Sequence, residues 1–234
     1  MQQSPIAELR ARLRLPLIAA PMFLVSGVAL VSAACVHGVI GAFPTVNCRT
    51  PEELDGWLRE IESRTSRSSD ASGVAAAPVC PNLIVHRSNM RLQDDLAVLL
   101  RHRPELVITS VGSPAPVIAP LHDAGALVLA DVASLRHAER AVEAGADGLV
   151  LLTAGAGGQT GWLNPFAFVR AVRGTLMMSN WTLRHSGCRC SACPTRILIS
   201  SSVARSLPCP ISMPIAHSPR STLSDCRTGW LMPA

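Results

Sequence analysis

The sequence predicts an α/β fold built on a parallel sheet, on three observations. Short apolar runs alternate with helical patterns from residue 15 to residue 173, the pattern of successive βα units. The apolar runs are nearly continuous, as in strands covered on both faces. The stretch Asp147–Gly161 joins one such run to a loop with glycine at four of its last seven positions. Six units of this kind fit either a parallel barrel missing its last quarter or a doubly wound open sheet. An irregular C-terminal tail follows.

The strands are predicted at Leu15–Ala20, Val39–Phe43, Gly73–Pro78 with Asn82–Val85, Leu106–Val111, Leu127–Val132 and Gly148–Ala154. Between them fall helices at Ser26–Val36, Pro51–Ser63, Met90–Arg101, Pro116–Ala124, Leu135–Ala144 and Asn164–Arg173. Pro51-Glu52-Glu53 suits a helix start, with proline in the first turn and acids at the positive end of the dipole. In Leu135–Ala144, Ala138, Ala141 and Val142 form one stripe opposite Arg136, Glu139, Arg140 and Glu143. The serine-rich Ser63–Ser72 reads as a mobile connection.

Composition separates the chain into two parts. Over 234 residues the chain is 48% hydrophobic, enough for one α/β core, and every basic residue is arginine. Aromatic residues make up only 3% and tyrosine is absent, which argues against stacking platforms for nucleic acid. Residues 1–174 hold 15 Arg and 15 acids, so the net charge of +5 belongs to residues 175–234. That segment is rich in Pro, Ser, Cys and Arg and is expected to be poorly ordered, with residues 1–174 forming the folded domain. Cys188, Cys190 and Cys193 lack a second pair at zinc-site spacing, so no metal is expected. Arg10, Arg12 and Arg14 before an apolar stretch mimic a secretory signal, but Glu8, Pro16 and Pro21 argue against one. The uncharged run Val25–Phe43, with its Gly, Ser and His37, suits a buried helix and strand better than a membrane span. The expectation is a cytoplasmic protein with no membrane or nucleic-acid partner.

Two strand ends carry the chemical signal. Glycines after a strand let main-chain amides approach a flat or anionic ligand, at the end of the sheet where α/β folds keep their sites. Near the amino terminus, Leu17-Ile18-Ala19-Ala20-Pro21-Met22-Phe23 is a strand ending in a turn. That turn offers main-chain groups and a soft thioether to one face of a ring.

With Asn82-Leu-Ile-Val-His86, Ile108-Thr109-Ser110-Val111-Gly112 and Ala154–Gly161, this ordered set resembles the nitronate monooxygenase family over roughly residues 14–173. The resemblance implies a (β/α)8 TIM-barrel-like fold, here incomplete after about six units, and an FMN cofactor. It implies oxidation of alkyl nitronates with O2, so the expected partners are a small-molecule nitronate and O2; a homo-oligomer is also allowed. By the same resemblance Ala20, Pro21 and Met22 lie against the isoalloxazine, and Asn82 reaches its ring. Thr109 and Ser110 stand at the mouth of the fourth strand and Asp131 at that of the fifth, with Ala156, Gly157 and Gly158 in the loop over the ring. Each has a plainer role as well: Asn82 follows Pro81 as a turn residue would, and Asp131 could cap the next helix.

Two departures from the family matter. Its glycine loop ends Gly-Gly-His-x-Gly with the histidine as base, whereas this chain has Gly157-Gly158-Gln159-Thr160-Gly161. An amide accepts no proton at neutral pH, so Gln159 can orient a nitronate but cannot deprotonate a nitroalkane. His86 is the best remaining base. The family also binds the FMN phosphate with glycine-rich loops after strands seven and eight, and no such loop follows Gly174. One codon choice for Cys188–Ala192, read in a shifted frame, gives Gln-Val-Leu-Gly, which resembles the family's segment near this point. The expectation is a frame change shortly after Arg173, which sequencing the gene decides. Two alternatives follow: a catalytically dead, truncated barrel, or a flavin-dependent enoyl-thioester reductase.

Overall fold

The computed structural model describes residues 5–178 and 197–199. Its seven strands are β1 (Ile18–Ala19), β2 (Ile40–Pro44), β3 (Val79–Ile84), β4 (Leu106–Ser110), β5 (Leu127–Val132), β6 (Gly148–Leu151) and β7 (Ile197–Ile199). All neighbouring strands are parallel and stand in chain order from β1 to β7. A doubly wound sheet reverses its strand order at a switch point, and this sheet never does. The architecture is an incomplete (β/α)8 barrel, with β1 and β7 as its edges among the described residues.

The connecting helices are α2 (Val28–Val36), α3 (Pro51–Ser72), α4 (Leu92–His102), α5 (Ala115–Asp123), α6 (Leu135–Glu143) and α7 (Pro165–Met178), preceded by α1 (Pro5–Arg12). Strand alternation divides the core in two. Phe43, Leu83, Val107, Val128 and Leu151 face the helices and pack on Val31, Leu54, Leu99, Leu121 and Phe168. Ile40, Ala42, Cys80, Leu106, Ile108 and Leu129 face the barrel interior, where Leu9 of α1 packs among them. Fully burying a side chain of this size contributes about 1.5–3 kcal/mol.

Four differences from the sequence expectations have local causes. Ser63–Ser72 is not a mobile connection but the second half of α3. Its hydroxyls bond back to the preceding turn, Thr65 to the Ile61 carbonyl at 3.0 Å and Ser69 to the Thr65 carbonyl at 2.9 Å, and so do not compete with the helix. The helix stops only where Gly73 takes a left-handed φ of 68°. β3 begins at Val79 and runs unbroken through Pro81, which stands opposite Phe43 in the ladder; the predicted strand Gly73–Pro78 is instead the end of α3, at Gly73, and the connection into β3. α1 was not anticipated; its Arg12 pairs with Glu105, just ahead of β4. Finally, α7 continues four residues past Gly174, and β7 lies inside the segment expected to be irregular. The rest of that tail, including Cys188–Cys193 and the place of the expected frame change, lies outside the described residues.

Candidate functional site

The carboxyl ends of the parallel strands lie side by side, and the inner-face residues there form the shelf considered for the site. β1 contributes only two residues to the ladder, and the turn after it is closed by bonds from the Val25 and Ser26 amides to the Met22 carbonyl and by side chains. Ser26, fully buried, accepts a hydrogen bond from the Met22 amide at 3.0 Å and donates to the Ala20 carbonyl at 3.1 Å. Asn47, in the 3-10 turn Thr45–Asn47 after β2, bonds the same loop at three points. Ala20 and Met22 are thereby held exposed at the edge of the shelf, with Pro21 half-buried between them. Ser26 and Asn47 were both missed by sequence reasoning. Ser26 resembled an ordinary helix start, and Asn47 carries no motif.

Register places the remaining polar groups. Asn82 stands opposite Ile108, and Ser110 opposite Ile84, which puts both on the inner face. The Asn82 Oδ1 is buried and has no hydrogen-bond partner. A buried acceptor without a donor costs free energy, and an N–H on the edge of a planar ligand would satisfy it. Thr109, one residue from Ser110, faces the helices instead; it is buried and its hydroxyl donates to the Leu129 carbonyl at 3.2 Å. The structure therefore separates Thr109 from the inner face and leaves Ser110, itself buried, on it.

Asp131 also lies on the inner face, opposite Val150 on β6. One carboxylate oxygen accepts the Val111 amide at 3.3 Å. Val111 adopts φ 61°, a left-handed conformation rare for a β-branched residue, as the chain leaves β4. Burial pushes the Asp131 carboxyl up to about 6, opposed only by that one amide. The carboxyl is thus bonded within the sheet and does not cap α6, whose cap is Ser134, accepting the His137 amide at 3.2 Å.

The glycine loop after β6 is closed on itself. Thr160 donates to the Thr153 carbonyl at 2.6 Å, and the Ala154 amide reaches the Leu163 carbonyl at 2.9 Å. Gly161 passes so near β6 that a Cβ there would lie 2.2 Å from the Leu152 carbonyl oxygen. Gly157, Gly158 and Gln159 are left exposed at the tip, with Ala156 half-buried beneath. Buried within the loop's base, the Thr153 hydroxyl has no partner. His86 is exposed just beyond β3, its Nδ1 2.7 Å from the Ser88 hydroxyl. His102 and His122 are engaged away from the strand ends, bonded to Asp55 at 2.9 Å and to Asp147 at 2.8 Å. A cleft of about 400 Å³ lined by Ile61, Thr65, Ser69, Pro78, His102 and Glu105 lies at the amino ends of β3 and β4 and shares no residue with the shelf.

A family profile described as nitronate monooxygenase matches residues 8–179. A nitronate monooxygenase of Paraburkholderia phytofirmans is 28% identical over 185 residues, which cover 65% of this chain and 49% of that protein. Among solved structures, FabK from Thermotoga maritima superposes with a TM-score of 0.62 at 21% identity, covering 75% of this chain and 52% of its own. Nitroalkane oxidase from Streptomyces ansochromogenes gives 0.61 at 21% identity, covering 73% and 58%. These structural likenesses bear on the fold, and this chain spans about half the length of the relatives it matches.

Proposed function

The chain belongs to the nitronate monooxygenase family, and from that membership we propose that it is an FMN-dependent oxidoreductase oxidising alkyl nitronates with O2. The observation that carries the cofactor is the unpartnered Asn82 oxygen on the inner face, with Ser110 further along β4 and Asp131 on β5 on the same face. These groups suit the polar edge of a flavin ring, while Ala20, Pro21 and Met22 offer an apolar surface to its face. When bound, FMN supplies the electron acceptor that returns electrons to O2; the protein supplies orientation and electrostatics.

The exposed Gln159 donates a hydrogen bond to the nitro oxygens and fixes the substrate above the ring. No proton need be taken, because a nitronate arrives already deprotonated. Ala156, Gly157 and Gly158 would line the flavin on this reading, Gly157 and Gly158 offering backbone amides with no Cβ in the way. His86, held by Ser88, would act as a base only toward a neutral nitroalkane. We place the protein in the cytoplasm as a small-molecule enzyme; no helix among the described residues is long and apolar enough to cross a membrane.

The test is an absorbance spectrum of purified protein after FMN addition and removal of free flavin. Flavin bands that stay with the protein, followed by O2 consumption with propyl nitronate, support the proposal. Colourless protein favours the catalytically dead barrel. NAD(P)H oxidation with a crotonyl thioester, and none of propyl nitronate, favours the enoyl-thioester reductase.

A further inference from the structure

We propose that Asn47 is the positioning residue of the turn after β1, holding Met22–Ser26 in the shape that receives the flavin ring. This inference rests on the FMN reading above. Its carboxamide is fully engaged: Oδ1 accepts the Leu24 amide at 3.0 Å, and Nδ2 donates to the Met22 carbonyl at 3.2 Å and the Ser26 carbonyl at 3.1 Å. One amide facing the acceptor and two carbonyls facing the donors allow only this orientation of the side chain.

The turn needs such a clamp. Leu24 sits at φ 60°, in the left-handed region that is unfavourable for a residue with a Cβ. Met22, Phe23, Leu24 and Val25 all expose their side chains, so no core packing fixes them. With only two residues of β1 in the ladder, sheet hydrogen bonds do not reach this far.

Asn47 is itself braced. The next residue, Cys48, gives its carbonyl to Arg91 Nη1 at 2.7 Å, and Arg91 Nη2 bonds the fully buried Asp95 at 2.7 Å. A line of polar contacts therefore runs from inside α4, through the turn after β2, to the loop after β1. Aspartate at position 47 would set a carboxylate against two carbonyls, and alanine would release all three bonds.

The experiment compares Asn47→Ala and Asn47→Asp with Thr50→Ala. The last removes the nearby α3 cap, which accepts the Glu53 amide at 3.2 Å, and leaves the β1 turn untouched. Two properties are read: cleavage after Phe23 by brief chymotrypsin treatment without flavin, located by mass spectrometry, and FMN affinity with its visible spectrum. The expectation is faster cleavage and about tenfold weaker FMN binding with an altered spectrum in both Asn47 variants, through lost preorganisation, with neither in Thr50→Ala. Unchanged cleavage and affinity in Asn47→Ala, or equal changes in Thr50→Ala, overturn the proposal. Wild-type protein that binds no FMN overturns the flavin reading instead, and cleavage at Phe23 still decides whether Asn47 holds the turn.

Discussion

Replacing Asp131 by asparagine should stabilise the protein at neutral pH and by only about a third as much at pH 4.5, where the unfolded chain has already released most of this proton. An aspartate titrates at 3.8 when unperturbed, and burial raises Asp131 to about 6 in the fold. Between those values the native state holds a proton that the unfolded chain has released. Stability contributed at this site is therefore full below about 4, falls as pH rises toward about 6, and is level above. Two units correspond to about 3 kcal/mol as an upper figure, and partial solvent contact reduces it to about 1–3 kcal/mol. Asparagine keeps an oxygen for the Val111 amide and never ionises. Thermal denaturation of wild type and Asp131→Asn without flavin, at pH 4.5 and 7.5, measures the difference directly. At pH 7.5 the variant should gain roughly 2–10 °C in Tm for a chain of this size. A gain of equal size at both pH values, or a loss at pH 7.5, would refute the argument that burial of the charge sets the shift.

Other outcomes follow from the same geometry. Gly161→Ala forces a Cβ against the Leu152 carbonyl and should cost about 1–3 kcal/mol in thermal denaturation, whereas Gly157→Ala, with open space around it, should stay within about 0.5 kcal/mol. Thr50→Ala removes a cap in which the Glu53 carboxylate also accepts the Arg49 amide at 2.6 Å, and should cost about 1 kcal/mol in the same assay. Gln159→His places a proton acceptor at the loop tip, so the variant should consume O2 with neutral nitroethane by about 10²-fold more than wild type; equal rates would show that the loop tip does not reach the substrate.

Much of the barrel was legible because its signals are local. The predicted runs Leu127–Val132 and Leu106–Val111 form β5 and, up to Ser110, β4, and the stripe of Ala138, Ala141 and Val142 is buried as periodicity predicts. The end of α3 was not legible, because serines and threonines disfavour helices on average, and only their bonds to the preceding turn reveal the exception. Site residues depend on alternation. Thr109 and Ser110 look interchangeable in the sequence, yet register sends one to the helices and the other to the shelf. Asn47 was invisible because its partners lie more than twenty positions earlier, and nothing in Thr-Val-Asn-Cys announces a long-range clamp.

The brevity of β1 has a further consequence for how the molecule responds to change. Substitutions among Leu54, Leu99 or Phe168 act on the packed layer between sheet and helices, while the turn at Met22 is held by its own backbone hydrogen bonds together with one serine and one asparagine. Global robustness and the shape of this rim are therefore separable traits: a variant could melt earlier and keep the rim intact, or withstand heat and lose it. Amide exchange at Leu24, set beside the slowest-exchanging strand amides, would display the two scales in a single experiment.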